Sequence, residues 1–268
     1  MEDLENTLEA IDEALDADEV DEALRLAKRA RKEFPAEPEV HLLLGDALLA
    51  CDEMHEARRA YEEAARLAPE SPDALASLAW AHYQLADFDA ARTVAQRSNE
   101  LHANALATSI LGRLAERAAK LEDANRLAQR AHALDPDTYP LPMRISEEEF
   151  RDVVSEALDR LPEEFRRALD GEVAVLVEPV PSVEILKSED PPWDPELLGL
   201  YVGVPLPKRE VSLAAPKLPD IVYLFQRNLE HVATDREELV EQIAVTVYHE
   251  VGHYLGYDDD ELDERGIG

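Results

Sequence analysis

An alanine recurs through the first half of the chain at intervals of 34, 34 and 33 residues. The four positions are Ala23, Ala57, Ala91 and Ala124. Prolines stand twelve residues after three of them, at Pro35, Pro69 and Pro136, and Ala103 takes that place in the third interval. A small residue lets two helices touch, and a proline ends a helix because it has no backbone N–H to donate. The spacing therefore predicts four helix-turn-helix units over residues 1–138.

This pattern resembles the tetratricopeptide repeat family over about half of the chain. Leu44-Gly45 and Leu111-Gly112 occupy equivalent places in two of the predicted first helices, and Tyr61 marks a second helix. Each unit buries its apolar face only against its neighbours, so four units form a short superhelix with a concave face. The resemblance implies a repeat domain, residues 1–140, that binds peptides or protein segments. The alternative is that the repeats are only a scaffold for the rest of the chain.

A second domain, residues 145–268, is predicted after a segment that prolines interrupt, Asp135–Pro142. Ser146 and Glu149 form a predicted capping box that begins an amphipathic helix, and a short helix follows Pro162. Runs rich in β-branched and aromatic residues then predict strands at Val173–Val177, Leu198–Gly203 and Ile221–Phe225. We expect an α+β domain in which a small mixed sheet of three or four strands packs on a long helix.

That long helix lies near the C-terminal end of the sequence and carries the chain's clearest chemical motif. Apolar residues recur with helical spacing from Leu239 to Leu255, and Thr234 with Glu237 forms a predicted capping box at its start. His249 and His253 leave the same face one turn apart, so both can bind one metal ion. Glu250 is turned about 100° away, beside the open coordination position. In such HExxH sites the histidines hold zinc and the glutamate acts as general base on the bound water.

Two histidines do not complete a zinc site, and the residues that follow supply candidates for a third ligand. Gly256 can adopt the left-handed conformation that ends a helix, which lets the next residues fold back past the metal. Asp259 follows this glycine by three residues, which matches the extended zincin pattern with a carboxylate ligand. Asp258 and Asp260 are alternatives. A further alternative is a calcium site of Asp258–Asp260 with Glu261, since calcium takes oxygen ligands.

Four separated segments resemble the small bacterial zincin-like metallopeptidase family, in the same order, over residues 145–268. The segments are residues 161–165, 199–203, 218–225 and 246–256. The resemblance implies that His249 and His253 are zinc ligands, that Glu250 is the general base and that Asp259 is the third ligand. The methionine turn of larger metzincins is missing, because the last methionine is Met143.

In zincins, an edge strand of the sheet lies above the metal and can pair with an extended substrate. Ile221–Phe225 and Leu198–Gly203 are the two candidates for this strand. Candidates by residue type for stabilising the transition state are Tyr201, Tyr254, Tyr257 and His231.

The formal net charge of −33 arises from 60 acidic and 27 basic side chains, and it is spread along the chain. Residues 1–140 carry 15 basic and 30 acidic side chains. Such a surface repels nucleic acid and anionic membrane and favours basic partners. No export signal and no run of eighteen apolar residues is present, so we expect a cytoplasmic protein. The single cysteine, Cys51, excludes an internal disulfide.

These features predict a two-domain protein in which the repeats bind a peptide or protein and a zinc domain hydrolyses peptide bonds. The alternative is a non-enzymatic adaptor whose zinc is structural or vestigial. Glu250 favours the first hypothesis, because a structural zinc site needs ligands and not a general base.

Overall fold

A computed structural model describes residues 2–169, 173–205, 220–258 and 261–262 of the chain. Two compact units can be distinguished. The first contains Met1–Pro140 and Ser182–Pro195, and the second contains Leu141–Pro181 and Glu196–Gly268. Among the described residues, none of the helices is both long and apolar enough to cross a bilayer.

The first unit begins with four consecutive helix pairs. They are α1 (Glu2–Asp16) with α2 (Val20–Glu33), α3 (Pro38–Ala50) with α4 (Met54–Leu67), α5 (Pro72–Gln84) with α6 (Phe88–Leu101), and α7 (Ala105–Arg117) with α8 (Leu121–Leu134). The recurring alanines all lie in the second helix of a pair and are at most 1% exposed. Helices α2, α4 and α8 each end two residues before a recurring proline. The predicted helical repeat is therefore confirmed.

The turn inside each pair repeats as regularly as the alanines. One residue in each turn has a positive φ angle, and these residues are Asp18 (58°), Asp52 (59°), Ala86 (52°) and Ala119 (55°). They recur at the same intervals of 34, 34 and 33 residues. The left-handed conformation reverses the chain after each first helix, so that the second helix can pack against it.

Gly45 in α3 is required by the ring of Tyr61 in α4. A Cβ atom added at Gly45 would lie 2.6 Å from Tyr61 Cδ1, and Tyr61 is only 1% exposed. Its hydroxyl donates a hydrogen bond of 2.6 Å to Asp46 Oδ1, which fixes the ring in this position. At Gly112 in α7, an added Cβ would meet Leu127 Cβ at 3.5 Å, an ordinary contact.

We therefore expect alanine at these two equivalent glycines to have effects of opposite sign. Gly45→Ala should destabilise the repeats, because overpacking costs about 1–3 kcal/mol and outweighs the helix propensity gained. Gly112→Ala should stabilise them by up to about 1 kcal/mol, because it gains propensity without a clash. Urea unfolding followed by circular dichroism measures both. Equal stabilisation by the two variants would contradict the packing described here.

The rest of the chain adds shorter helices, a sheet and one long helix. These elements are α9 (Glu147–Arg160), α10 (Glu163–Leu169), β1 (Val173–Glu178), α11 (Val183–Leu186), β2 (Gly199–Val202), β3 (Asp220–Phe225), α12 (Gln226–Val232) and α13 (Arg236–Leu255). Helix α11 lies in the segment that belongs to the first unit. The capping box predicted for α9 is present, since Ser146 N donates to Glu149 Oε2 (2.9 Å) and Glu149 N to Ser146 Oγ (3.2 Å).

Within the described residues, the sheet of the second unit has the strand order β1-β3-β2. Strand β3 pairs in parallel with β1, from Val173↔Asp220 to Glu178↔Phe225, and antiparallel with β2, from Gly199↔Leu224 to Val202↔Ile221. The prediction that Ile221–Phe225 could be an edge strand is therefore wrong, because both of its sides are paired. The other candidate, Leu198–Gly203, contains β2.

Helix α13 packs on this sheet together with α9. Its apolar face, Leu239, Ile243, Val247 and Val251, is fully buried. These side chains share one hydrophobic cluster with residues of α9 and β3, among them Phe150, Val153, Val222 and Leu224. The predicted amphipathic helix is thus confirmed, and its buried face fixes the direction of its other faces.

The start of α13 differs from the prediction by one residue. The N-cap is Asp235, whose Oδ1 accepts a hydrogen bond of 3.0 Å from Glu238 N. Glu238 in turn accepts hydrogen bonds from Thr234 N (2.7 Å) and Thr234 Oγ1 (2.6 Å). The predicted Thr234–Glu237 capping box is wrong because two neighbouring residues can both cap a helix, and aspartate is the better N-cap.

Helix α12 holds a buried carboxylate, Glu230, which is fully inaccessible to solvent. Its oxygens accept hydrogen bonds from Arg227 Nη1 (2.7 and 2.9 Å), Arg144 Nη1 (2.9 Å) and Gln226 Nε2 (2.8 Å). The Glu230 carbonyl also accepts from Met143 N at 2.9 Å. This network ties the segment before α9 to α12, with the Glu230 carboxylate between two guanidinium groups.

Candidate metal and catalytic site

The two histidines of the motif converge on one point beside α13. Their Nε2 atoms are 3.0 Å apart, and their rings are nearly perpendicular, at 88°. Two nitrogens bound to one tetrahedral zinc ion lie about 3.3 Å apart, so a shift of a few tenths of an ångström lets both ligate. His253 Nδ1 is 3.2 Å from the carbonyl oxygen of Tyr257. When Nδ1 carries the proton and donates a hydrogen bond to this carbonyl, the free lone pair is on Nε2. This arrangement is typical of a metal-binding histidine.

The chain turns back immediately after the histidines. Gly256 ends α13 with φ of 99°, in the left-handed region, as predicted. Gly256 N and Tyr257 N both donate to the carbonyl of Gly252 at 3.0 Å. Leu262, which is fully buried, lies against Gly252, where an added Cβ would be 2.5 Å from Leu262 Cδ2. Leu262 therefore packs back against α13.

The predicted third ligand, Asp259, and its alternative Asp260 lie outside the described residues. Asp258 is described, and it caps the next helical turn: Asp258 Oδ1 accepts from Glu261 N (3.0 Å), and Asp258 N donates to Glu261 Oε2 (3.2 Å). This mutual capping uses one oxygen of each carboxylate and begins a short turn after α13. In the part of the chain that is described, no three His, Cys, Asp or Glu side chains form a metal-binding group.

Glu250 is a residue of helix α13 whose side chain contacts strand β2, and it is 8% exposed. Its Oε2 accepts a hydrogen bond of 2.6 Å from the backbone N–H of Tyr201. The hydroxyl of Tyr201 donates a hydrogen bond of 2.7 Å to Asp220 Oδ1, so the Tyr201 side chain is held in place as well. A carboxylate in such a place is shielded from bulk water and has a defined orientation.

Gly199 is a residue of this site that our sequence analysis did not single out. An added Cβ would lie 2.6 Å from Thr246 Cγ2, 3.0 Å from Tyr223 O and 3.3 Å from Glu250 Cγ. Only glycine therefore lets β2 come this close to α13. The available signal was a glycine inside a predicted strand, which often marks a close approach of two backbones.

The structure also separates the candidates for transition-state stabilisation. Tyr254 is 1% exposed and belongs to the hydrophobic cluster, with its ring 6.0 Å from that of Tyr201. Tyr201 directs its hydroxyl to Asp220. Tyr257 follows the helix end beside His253, and His231 lies in the last turn of α12. The contact of Tyr257 with His253 is made by its backbone carbonyl.

Comparison with known families found two matches. Residues 171–268 match the zincin-like metallopeptidase family, and residues 8–72 and 52–105 match the tetratricopeptide repeat family. No curated protein matches the chain.

Solved structures with a similar backbone are helical repeat proteins. A thermophilic tetratricopeptide repeat protein of Thermus thermophilus, TTC0263, is 17% identical, with a TM-score of 0.46 over 50% of this chain and 74% of its own. A MamA structure is 22% identical, with a TM-score of 0.41 over 47% of this chain and 74% of its own. The Cut9-Hcn1 hetero-tetramer of the APC/C is 20% identical, with a TM-score of 0.47 over 62% of this chain and 32% of its own.

The family matches agree with the helix pairs of the first unit and with the histidine pair on α13. The chain thus carries tetratricopeptide repeats in its N-terminal half and a zincin-like metallopeptidase domain at its C-terminal end.

Proposed function

We propose that this protein is a zinc-dependent peptidase whose repeats bind a peptide or protein segment. The observation that carries the proposal is the convergence of His249 and His253 Nε2 atoms, 3.0 Å apart, on the helix that also buries Glu250. Bound zinc would lower the pKa of a coordinated water and polarise the peptide carbonyl. The histidines fit this ion by their nitrogen donors and their spacing.

The residues of the chain have separate roles in this reaction. His249 and His253 would hold the metal through Nε2, and Asp259 would supply the third ligand. Glu250 takes a proton from the attacking water and delivers it to the leaving amine. The Tyr257 carbonyl keeps the His253 ring in the orientation that presents Nε2.

The repeat domain, residues 1–140, is proposed to bind a basic segment. Burial raises the pKa of the Asp46 carboxyl, the hydrogen bond from the Tyr61 hydroxyl lowers it, and the nearby carboxylate of Asp12 raises it. Burial and then Asp16 likewise raise the pKa of Asp12. Carboxylates that repel one another gain from a cationic side chain placed between them. The net charge of −33 also attracts cationic segments at longer range, and it disfavours binding to nucleic acid and to anionic membrane.

The competing proposal is an adaptor in which the zinc is structural or vestigial and the repeats alone are functional. The buried Glu250 favours the peptidase, because a structural site gains nothing from an additional carboxylate beside its ligands.

Metal content tests the proposal directly. Elemental mass spectrometry of untagged wild-type protein should find about one zinc per chain. His249→Ala and Asp259→Ala should lose the zinc, because each removes one of three protein ligands. Asp258→Ala and the exposed His102→Ala are the matched controls and should retain it. Wild-type protein that takes up no zinc after reconstitution would favour the adaptor.

A further inference from the structure

Strand β2 meets the proposed general base through its backbone. Phe225 N donates to Leu198 O at 2.9 Å, so Leu198 faces β3. In an antiparallel pair, the backbone N–H and C=O groups of successive residues point alternately toward the partner strand and away from it. Tyr201 is three residues after Leu198, so its N–H points away from β3. This is the N–H that donates to Glu250 Oε2 at 2.6 Å. A backbone group that the sheet leaves unused is thus satisfied by the catalytic helix.

This contact depends on the separation between β2 and α13. The chain has glycine at position 199, two residues before Tyr201, where a Cβ would be 2.6 Å from Thr246 Cγ2 and 3.3 Å from Glu250 Cγ. Thr246 itself is fixed, because its hydroxyl donates to Gln242 O at 2.8 Å. A side chain at position 199 would therefore push the strand and the helix apart, and the Tyr201–Glu250 hydrogen bond would lengthen.

We propose that β2 positions Glu250 for the reaction, with the Tyr201 N–H anchoring Oε2 and Gly199 keeping the strand close enough to do so. This inference rests on the proposed peptidase function. The terminal torsion of a glutamate side chain is broad, so an unanchored carboxylate samples many orientations. With Oε2 held by the backbone, Oε1 has a fixed direction from which it can accept the proton of the attacking water. Gly199 is in this sense a positioning residue that acts through Glu250.

Amide hydrogen exchange tests the anchor without any assay of hydrolysis. In Glu250→Ala, the Tyr201 amide should exchange at least about 10-fold faster than in wild type, because its acceptor is gone. The amide of Leu200, which faces β3, should be unaffected and is the internal control. An unchanged Tyr201 amide in Glu250→Ala would overturn the proposal.

Gly199→Ala tests the role of the anchor in catalysis. We expect zinc content to stay at the wild-type value, Tyr201 amide exchange to accelerate, and kcat to fall by about 10–100-fold with a much smaller change in KM, because a misplaced catalytic group is costly. Adding Thr246→Ser removes the methyl group nearest to the new Cβ and keeps the hydroxyl. The double variant should therefore recover part of the lost kcat and part of the lost protection of the Tyr201 amide. A lower kcat without faster Tyr201 exchange would contradict positioning through this hydrogen bond.

The two proposals fail in different ways. Wild-type protein that binds zinc but hydrolyses no peptide would refute the peptidase, whatever the amide exchange shows. Hydrolysis by wild type together with full kcat in Gly199→Ala would leave the peptidase intact and refute the positioning role. If Gly199→Ala does not fold, Glu250→Ala still decides the anchor, because it changes nothing on β2.

Discussion

Replacing Glu250 with glutamine is expected to abolish peptide hydrolysis while zinc stays bound. Glutamine keeps the size of the side chain and its ability to accept from Tyr201 N, but it cannot take a proton from water. General acid–base catalysis contributes about 10²–10⁴-fold, so kcat should fall by at least that range. Single-turnover assays, with a basic peptide chosen from a library by mass spectrometry, measure the rate. Zinc is quantified on the same samples.

Glu241→Gln is the matched control for this experiment. Glu241 lies on the same helix and is exposed to solvent, so its replacement removes one negative charge without touching the site. Wild-type rates in Glu241→Gln and lost activity in Glu250→Gln would assign the effect to the position and not to net charge. Unchanged hydrolysis in Glu250→Gln would rule out the proposed mechanism.

The largest effect on stability is expected for Glu230→Gln. The change would leave Arg227 and Arg144 next to a neutral side chain, and Arg227 is only 8% exposed. Removing one partner of a buried ion pair costs about 3–5 kcal/mol, because the remaining charge is uncompensated. Chemical denaturation followed by circular dichroism should show the loss in the transition of the second unit.

Glu237→Gln provides the comparison, because Glu237 pairs with Arg160 at 3.0 Å but its side chain is 73% exposed. Solvent screens this pair, so we expect little change in the free energy of unfolding. Similar losses of unfolding free energy in Glu230→Gln and Glu237→Gln would show that the burial of Glu230 does not determine how much its ion pairs contribute to stability.

The sequence predicted the repeats well because their contacts are local and periodic. Ala23 and its equivalents occupy one structural position, and each repetition of the pattern adds independent support. Helix α13 and its glycine stop were predictable for a related reason, since helical spacing and the Gly256 conformation are properties of neighbouring residues.

The predictions that were wrong or missing concern contacts between segments distant in sequence, or a choice between two neighbouring residues that suit the same structural position. Ile221–Phe225 has the composition of a strand, but nothing in it tells whether one or both of its edges are paired. Thr234 and Asp235 both favour an N-cap, so the sequence alone placed the start of α13 one residue too early. Gly199 was missed because its role depends on how closely α13 packs on β2, which is a property of tertiary structure.

The domain boundaries and the site assignment remain predictions for different reasons. The structure places Ser182–Pro195 with the repeats, although this segment lies between β1 and β2 in sequence. The role of Asp259 falls on residues outside the described part of the chain. Metal analysis of the Asp259→Ala and Asp258→Ala proteins is the direct test of that assignment.

The pairing of β1 with β3 also has a consequence for the order of folding. Val173 pairs with Asp220, so the sheet joins residues that are far apart in sequence, whereas each repeat helix packs on the next one along the chain. Closing a long loop costs entropy before its contacts form, and folding rates fall as contacts become less local. During synthesis, the repeats can therefore fold while the C-terminal residues are still unmade. The histidine pair on α13 can be held in place only after β3 and α13 have both been synthesised.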